Sequence, residues 1–346
     1  LVWFDDSSFG SGKVWNPYQT PALLMNTVAS QLSGFPDSSA GIDGDYLEGP
    51  TFYEWLKSEK ASTFLHSDPA LLEEAHKTGP DTYTSRALYG AYLHWVASQV
   101  VTAYRDYVDI RLVPTRVLSI ADQEGAYALT DSDGSIVVVK NVVLAVGHTP
   151  QQMSVRELEM AHSANQVGLT YLPRGEASPK ETGRISHNDT VILRGMGLTF
   201  FDYLELLTEY RGGRFSSDGY ALRYVPSGKE PKIIACSRKG APHHARGRNQ
   251  KQPNERWQPR FLTEDFARTL DNGSFSVDVW PKIRLEAELA FTIALLERSG
   301  LDSEKPEAEE RAQMGIMELI RWRQEIGLSE TLDWSELLCP RLVNAP

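Results

Sequence analysis

Residues 191–202, VILRGMGLTFFD, decide the fold expected for this chain. A short apolar run, predicted to be a buried strand, leads into Gly195 and Gly197 and then into apolar residues at helical spacing, with Thr199 near the helix start. Two glycines between a strand and a helix allow a tight turn and let a phosphate approach the N–H groups of the helix N-terminus. The stretch therefore predicts a dinucleotide-binding turn. Phe200 stands where the full fingerprint needs Gly or Ala, so a plain strand-to-helix turn is the alternative.

The next strand, in KIIACSRKG at 232–240, indicates which nucleotide is bound. In a dinucleotide fold the end of this strand meets the adenosine ribose, where an acid favours NAD and a cation favours the 2′-phosphate of NADP. Here the strand runs into Ser237, Arg238 and Lys239, with no acid. The residues favour NADPH, and a solvent-facing basic turn is the alternative.

The first residues, LVWFDD at 1–6, predict another strand, in which Asp5 stands where a ribose-binding acid would be. No glycine fingerprint precedes Asp5, so we expect the chain to begin inside a fold. The last residues, LDWSELLCPRLVNAP at 332–346, end as abruptly, so we expect truncation at both ends. GSGK at 10–13 does not make a P-loop, because Val14 occupies the place of the required Ser or Thr.

Composition narrows the class of protein. A chain of 346 residues with 41% hydrophobic residues is long enough for two domains. The net charge of −11 disfavours nucleic acid and anionic membranes as partners, and no apolar run reaches the roughly 18 residues of a membrane span. Cys236 and Cys339 lie too far apart in sequence to indicate a disulfide framework or a zinc site, so a reducing cytoplasm is the expected location.

Hydrophobic periodicity predicts the other elements. Strands are expected at 108–113, 116–120 and 126–130, a hairpin turn at 131–135, and a buried strand within VVLAVGH at 142–148. Helices are expected at 51–58, 69–77, 85–104, 154–166, 282–298 and 306–326. The helix at 85–104 has an apolar face that we expect to pack on a sheet.

Several stretches together resemble a known family: GSGKVW, PALLMNTVASQL, SRALYGAYLHWV, VVLAVGHTP, VILRGMGLTFFDYLELLTEYRGGRF and YVPSGKEPKIIACSRKGAPHHARG. They are similar to bacterial FAD/NAD(P)-binding proteins that include flavin-dependent L-aspartate N-monooxygenases of the nitrosuccinate-synthase type. The resemblance runs from residue 1 to about residue 265. More distantly, the chain resembles the flavin N-hydroxylases of ornithine and lysine, which have Rossmann-type FAD and NADPH domains.

The resemblance implies a set of FAD contacts. Asp5 would hold the FAD ribose, and Val117 the adenine through its backbone. Gly147 and His148 would pass under the flavin pyrophosphate. For His148, a structural hydrogen-bonding role is favoured over that of a base.

The flavin ring has its own implied neighbours. Trp15 counts among the cofactor-binding residues, and Met25 and Asn26 match the Met-Gln pair beside the isoalloxazine, with Asn one methylene shorter than Gln. Reduced flavin adds oxygen to form a C4a-hydroperoxide, which needs a dry pocket and a hydrogen bond at N5–H. Asn26 is the candidate amide for that bond.

A substrate carboxylate would call for an arginine. Arg86, Arg194 and Arg246 are all candidates, and Arg86 is taken with Asn26 as the catalytic pair. His243 and His244 could hold a metal with neighbouring residues, but adjacent residues of a strand point to opposite faces, so no metal site is expected.

We therefore predict an α/β fold with two Rossmann-like units, the second inserted in the first. An FAD-binding domain at 1–187, lacking its first strand and glycine loop, would contain an NAD(P)-binding domain at 188–280, with a helical return to the FAD domain at 281–346. The predicted function is an FAD- and NADPH-dependent monooxygenase that N-hydroxylates an amino acid or small amine with molecular oxygen. The alternatives are a non-catalytic nucleotide-binding or interaction module, or another FAD/NAD(P)-dependent oxidoreductase. A homo-oligomer is left open.

Overall fold

Two parallel strand pairs organise the first part of the chain. The computed structural model describes residues 1–37, 40–149, 152–217, 219, 221–243, 257–270 and 273–332. Contacts divide the chain into two units, Leu1–Pro253 and Asn254–Pro346. Strands and helices mix in the first unit, while the regular elements described in the second are helical. The predicted α/β class is confirmed.

The elements have the following bounds. The strands are β1 (Val2–Phe4), β2 (Arg111–Val113), β3 (Val117–Gln123), β4 (Ala126–Asp131), β5 (Ile136–Val139), β6 (Thr190–Arg194), β7 (Arg214–Ser217), β8 (Leu222–Val225) and β9 (Lys232–Cys236). The α-helices are α1 (Phe52–Leu56), α2 (Glu59–Phe64), α3 (Pro69–Lys77), α4 (Arg86–Tyr104), α5 (Val155–Gln166), α6 (Pro179–Thr182), α7 (Leu198–Leu207), α8 (Glu264–Arg268), α9 (Trp280–Ser299), α10 (Lys305–Met314) and α11 (Ile316–Glu325).

Both parallel pairs are closed by helical crossovers. β1 pairs with β2 after the connection that contains α1 to α4, and β6 pairs with β9 after a connection that begins with α7. β3, β4 and β5 form an antiparallel sheet, and β7 pairs with β8 as a hairpin. Parallel strands end at the same edge, so each pair brings the residues that follow its strands together.

Helix α4 carries the core of the first unit. Its start is capped by Ser85, whose Oγ accepts a hydrogen bond from the N–H of Leu88 at 3.0 Å. Tyr92 lies 5.4 Å from the ring of Trp55, which belongs to α1. The buried cluster joins α4 to apolar residues of α1, α2 and α3. The expectation that this face packs on a sheet was therefore wrong, because the preceding short helices supply the apolar surface.

Gly90 of α4 lets the backbone of the loop around Trp15 lie directly against the helix. A Cβ on Gly90, in the middle of α4, would lie 1.6 Å from the carbonyl oxygen of Trp15. Trp15 also packs edge-on against Tyr89, with 5.7 Å between ring centroids. Gly90 is therefore needed for the position of Trp15.

We expect Gly90→Ala to destabilise the protein by about 3 kcal/mol, because the backbone of Trp15 must move away to admit the methyl group. In an exposed helix the same change would stabilise the protein by up to about 1 kcal/mol, so the clash with Trp15 is what makes this substitution destabilising. The free energy of unfolding, measured in denaturant, tests this. Gly175→Ala is the matched control, since a Cβ there meets no atom within 4 Å and should change the stability little. Equal stability of the Gly90 variant and the wild type would contradict the prediction.

Two segments that were expected to form buried strands are exposed or partly exposed. Residues 142–148 form no strand, and Val143, Leu144 and Val146 are exposed, Val143 by 91%. Among the described residues no strand pairs with this segment, and an apolar run needs such a partner to become a sheet strand. β6 forms as predicted, but Ile192 is 67% exposed because the described residues cover only one face of the β6–β9 pair.

The second unit has a helical core. Leu289, Leu296, Ala312, Leu319 and Trp322 of α9, α10 and α11 are buried together. The single helix predicted at 306–326 was wrong, because Gly315 breaks it with φ 128° and ψ 169°, a conformation open to glycine. Among the described residues, no helix combines the length and apolar character needed to cross a bilayer.

Candidate cofactor site

The glycine turn after β6 has the geometry of an anion-binding helix start. Gly195 has φ +104°, and its N–H donates to the carbonyl oxygen of Cys236 at 2.7 Å. Gly197 is the N-cap of α7, and no side chain caps this helix. A Cβ on either glycine would meet no atom within 4 Å. The turn is therefore open above its backbone, and Thr199 is exposed at the start of the helix.

The cationic turn after β9 lies beside this glycine turn. Arg194 pairs with Cys236 in the strand register, so Ser237 and Gly195 follow the two strands at the same edge. The N–H of Gly240 donates to Ser237 Oγ at 3.1 Å and closes the turn. Arg238 is exposed and forms no ion pair with any described residue. The structure thus brings together Gly195, Gly197, Ser237 and Arg238.

A second edge follows β1 and β2. The N–H of Asp5 donates to Val113 O at 3.2 Å, and Asp5 Oδ1 accepts hydrogen bonds from the N–H and hydroxyl of Ser7 at 2.8 and 2.7 Å. Arg116 Nε donates to Asp6 Oδ2 at 2.7 Å, and the next residue, Val117, begins β3. The structure thus places Asp5 and Val117 near the same edge.

Gly147 and His148 are not joined to that edge by any hydrogen bond among the described residues. Gly147 has φ +59°, and a Cβ there would meet nothing within 4 Å. His148 is exposed. Their predicted place under a pyrophosphate stays a prediction.

The Met25–Asn26 segment is held against the start of α4. Met25 N–H donates to Thr84 O at 2.8 Å, and Arg86 N–H donates to Leu23 O at 2.8 Å. Met25 is buried in the aromatic core, whereas Asn26 is exposed, and its Oδ1 accepts a hydrogen bond from Thr27 Oγ1 at 3.3 Å. The backbone here is fixed, and the amide of Asn26 reaches the surface.

Arg86 is engaged by groups that sequence analysis did not identify. One terminal guanidinium nitrogen donates to both carboxylate oxygens of Asp202, each at 2.9 Å, and Nε donates to Leu24 O at 3.1 Å. Asp202 lies on α7, 116 positions along the chain, and no local pattern connects the two residues. Arg194, another candidate, contacts Met160 Sδ at 3.8 Å, and Arg246 lies outside the described residues.

The C-terminal end of α7 carries a carboxyl group with a raised pKa. Burial raises the pKa of the Glu205 carboxyl to about 7, and a hydrogen bond and repulsion from Glu209 add to the effect. A cavity of about 390 Å³, lined in part by Leu206, Arg211 and Lys229, also lies at this end. Lys229 precedes β9, so the cavity is at the edge opposite the glycine turn, and none of the predicted site residues lines it.

Comparison with known proteins identifies relatives. Residues 1–149 match the family model described as FAD-NAD(P)-binding. The L-aspartate N-monooxygenase (nitrosuccinate-forming) of Streptomyces davaonensis is 35% identical over 97% of this chain and 55% of its own length. The nitrosuccinic acid synthase of Aspergillus oryzae is 35% identical over 92% of this chain and 50% of its own. A second L-aspartate N-monooxygenase (nitrosuccinate-forming), from Streptomyces cremeus, is 36% identical over 87% of this chain and 47% of its own.

The chain spans about half the length of the curated relatives it matches. The resemblance seen in the sequence is confirmed, and it extends to a fungal protein as well as bacterial ones. The chain is therefore similar to FAD-NAD(P)-binding proteins over its first 149 residues and to L-aspartate N-monooxygenases along nearly all of its length.

Proposed function

We propose that this protein is a flavin- and NADPH-dependent monooxygenase that N-hydroxylates L-aspartate or a closely similar amino acid. The observation that carries the proposal is that two parallel strand pairs lie in one unit. Asp5 follows the first strand of one pair, and the open glycine turn, with Arg238 beside it, follows the strands of the other. The names of the relatives support the choice of substrate and reaction.

Two Rossmann-like units would underlie this function. The parallel pairs β1–β2 and β6–β9, each joined by a helical crossover, support one nucleotide-binding unit around each pair. The bounds 1–187, 188–280 and 281–346, and the insertion of the second unit in the first, remain predictions.

The residues of the first edge fit the adenosine part of FAD. Asp5 uses Oδ1 for Ser7, while Oδ2 accepts no hydrogen bond from a described residue and is available to a ribose hydroxyl. Gly147 and His148 have no described hydrogen bond to this edge, and Gly147 has open space where a side chain would stand, which suits the approach of the pyrophosphate. We propose Asp5, Val117, Gly147 and His148 as the FAD-binding residues.

The residues of the second edge fit NADPH. Gly195 and Gly197 leave the start of α7 open, and its N–H groups and dipole attract a pyrophosphate. Ser237 and Arg238 follow the strand whose end would meet the adenosine ribose of a dinucleotide, and a guanidinium with no ion-pair partner among the described residues would suit a 2′-phosphate better than a hydroxyl. Thr199 would contact the same nucleotide.

Bound flavin would supply the reduction of molecular oxygen and its transfer to the substrate amine. The chain itself would bind, orient and exclude water. Met25 is anchored in the core and fixes the backbone of Asn26, so the amide would be presented from a rigid support at the start of α4. Asn26 would hydrogen-bond the flavin edge.

We expect Asn26→Ala to retain its fold and its bound flavin, because the proposed FAD contacts lie elsewhere. Loss of one hydrogen bond at the reacting edge should lower the amount of product formed per NADPH oxidised by about two- to tenfold, with a matching rise in hydrogen peroxide. Product and peroxide, quantified in the same reaction, provide the measurement. Asn165→Ala, the same substitution at an exposed position of α5, is the control and should leave the ratio close to that of the wild type. An unchanged ratio in the Asn26 variant would remove Asn26 from the site.

The proposed function is tested with the complete purified protein. It should carry a flavin absorption spectrum, and L-aspartate should stimulate NADPH oxidation and yield an N-hydroxylated product. A panel of amino acids and small amines, assayed for hydroxylamine formation, measures the preference. Absence of bound flavin after supplying FAD, or no amine-dependent product from any member of the panel, would overturn the proposal.

A further inference from the structure

One ion pair joins the two halves of the proposed site. Arg86, the first residue of α4, donates to both oxygens of Asp202 on α7 at 2.9 Å. The two side chains are only 23% and 17% exposed, so water screens them less than it screens the surface pairs of this chain. The same guanidinium donates through Nε to Leu24 O at 3.1 Å. Arg86 therefore connects a backbone carbonyl of the 23–26 segment to helix α7.

An apolar contact reinforces this connection. Leu23 is 4% exposed and clusters with Leu206 of α7 and with Ala177. Tyr203, the residue after Asp202, packs against the same cluster. The 23–26 segment thus meets α7 through one charged and one apolar contact, one helical turn apart along α7.

The two elements that this ion pair joins, the 23–26 segment and α7, carry residues proposed to bind different cofactors. The 23–26 segment carries Met25 and Asn26, proposed for the flavin edge, while α7 starts at Gly197 of the proposed NADPH turn. Asp202 is the fifth residue of α7 and lies about 6 Å along the axis from its first residue. A displacement of α7 relative to the 23–26 segment would change the distance between the two cofactors.

We infer that the Arg86–Asp202 pair is a positioning contact that fixes the 23–26 segment against α7 and so aligns the NADPH site with the flavin site. This rests on the proposed function. It gives Arg86 a positioning role in place of the substrate carboxylate contact for which it is one of three candidates in the sequence, because Nε and one terminal nitrogen already have protein acceptors. Asp202, which no motif indicates, becomes the second positioning residue.

The contact itself is tested by hydrogen exchange in the complete protein, without any turnover. Asp202→Asn preserves the shape of the side chain and removes its charge. The amides of Met25 and Arg86, which close the 23–26 segment onto Thr84 and Leu23, should exchange about tenfold faster. Arg86→Lys should produce a similar change, and the double variant should add little to either one, because both remove the same contact.

The alignment is tested by flavin reduction. In Asp202→Asn, the limiting rate of flavin reduction at saturating NADPH should fall about tenfold, since hydride transfer depends steeply on the distance between reacting atoms. The NADPH concentration for half-maximal rate should change less than about twofold, because Asp202 does not contact the nucleotide in this proposal. Glu73→Gln is the matched control, as it removes an exposed i,i+4 ion pair with Lys77 in the same unit. It should affect neither exchange at 23–26 nor reduction.

The outcomes separate this inference from the proposed function. Unchanged exchange at Met25 and Arg86 in Asp202→Asn, or additive effects in the double variant, overturns the contact whatever the enzyme does. Faster exchange with an unchanged limiting rate overturns the alignment. A wild-type protein that shows no reduction of bound flavin by NADPH refutes the proposed function, and with it the alignment, while the exchange data still decide whether the pair holds the segment.

Discussion

Arg238→Ala should weaken NADPH use by about ten- to a hundredfold and leave NADH use nearly unchanged. A charge-assisted contact between a guanidinium and a phosphate contributes about 1.5–3 kcal/mol, which corresponds to one to two decades in affinity. Arg238 is exposed directly after β9, on the strand edge shared with Gly195, and forms no ion pair with a described residue. Its charge is therefore free to meet the 2′-phosphate, the group that distinguishes the two nucleotides.

The measurement is kcat/KM for both nucleotides at one ionic strength, because a charge contact weakens as salt screens it. Lys239→Ala, the next cation, should have a smaller effect. Arg214→Ala removes an exposed arginine from β7 and serves as the matched control, with no change in nucleotide preference. Equal losses with NADPH and NADH in the Arg238 variant would show that Arg238 does not contact the 2′-phosphate.

Glu286→Gln should destabilise the second unit by about 3 kcal/mol, because a carboxylate that receives several hydrogen bonds is replaced by an amide that can accept fewer of them. Glu286 is 7% exposed. It accepts hydrogen bonds from Trp257 Nε1 at 2.6 Å and from the backbone N–H groups of Arg260, Phe261 and Leu262, the shortest at 2.7 Å. The amide NH₂ of glutamine would face some of these donors and leave them unpaired.

This prediction carries a pH dependence. Burial alone would raise the pKa of Glu286, but the N–H donors outweigh it and hold the pKa below its ordinary 4.5. The carboxylate therefore stabilises the fold fully above about pH 4.5, and this contribution is lost as the pH falls through the lowered pKa of the folded state. The stability difference between wild type and Glu286→Gln should shrink over that range.

Denaturant unfolding at several pH values tests both statements. Glu264→Gln is the matched control, since Glu264 is exposed and, among the described residues, its ion pair is with Arg268 across one helical turn in the same unit. It should change the free energy of unfolding by less than about 0.5 kcal/mol. A Glu286 variant as stable as this control, or a difference that grows toward acid pH, would contradict the prediction.

The local features of the candidate site could be predicted from the sequence. The β6 turn with Gly195 and Gly197, the start of α7 and the cationic end of β9 all depend on residues within a few positions of one another. Turn geometry and helix starts are governed by such short-range preferences, since glycine relieves steric restriction locally and a helix start needs only its own first turn.

Burial and partner choice could not be predicted in the same way. The apolar residues at 142–148 look like a buried strand, yet they are exposed because no described strand pairs with them. Helix α4 was correctly placed, but its partner surface proved to be helices rather than a sheet. Periodicity shows which face of an element is apolar and carries no information about what covers that face.

The sequence by itself determined the likeness to the L-aspartate N-monooxygenases, the α/β class and the two stretches proposed for nucleotide binding, because each depends on short runs of residues. Only the tertiary structure decided that Arg86 donates to Asp202 and Leu24, and that Glu286 collects the N–H groups of 260–262. These contacts join residues that are far apart in the chain, and a charged side chain has the same local pattern whatever its partner. The hydrogen-bond partner of such a side chain is decided by the folding of the chain. Folding brings distant groups to about 3 Å and removes the water between them.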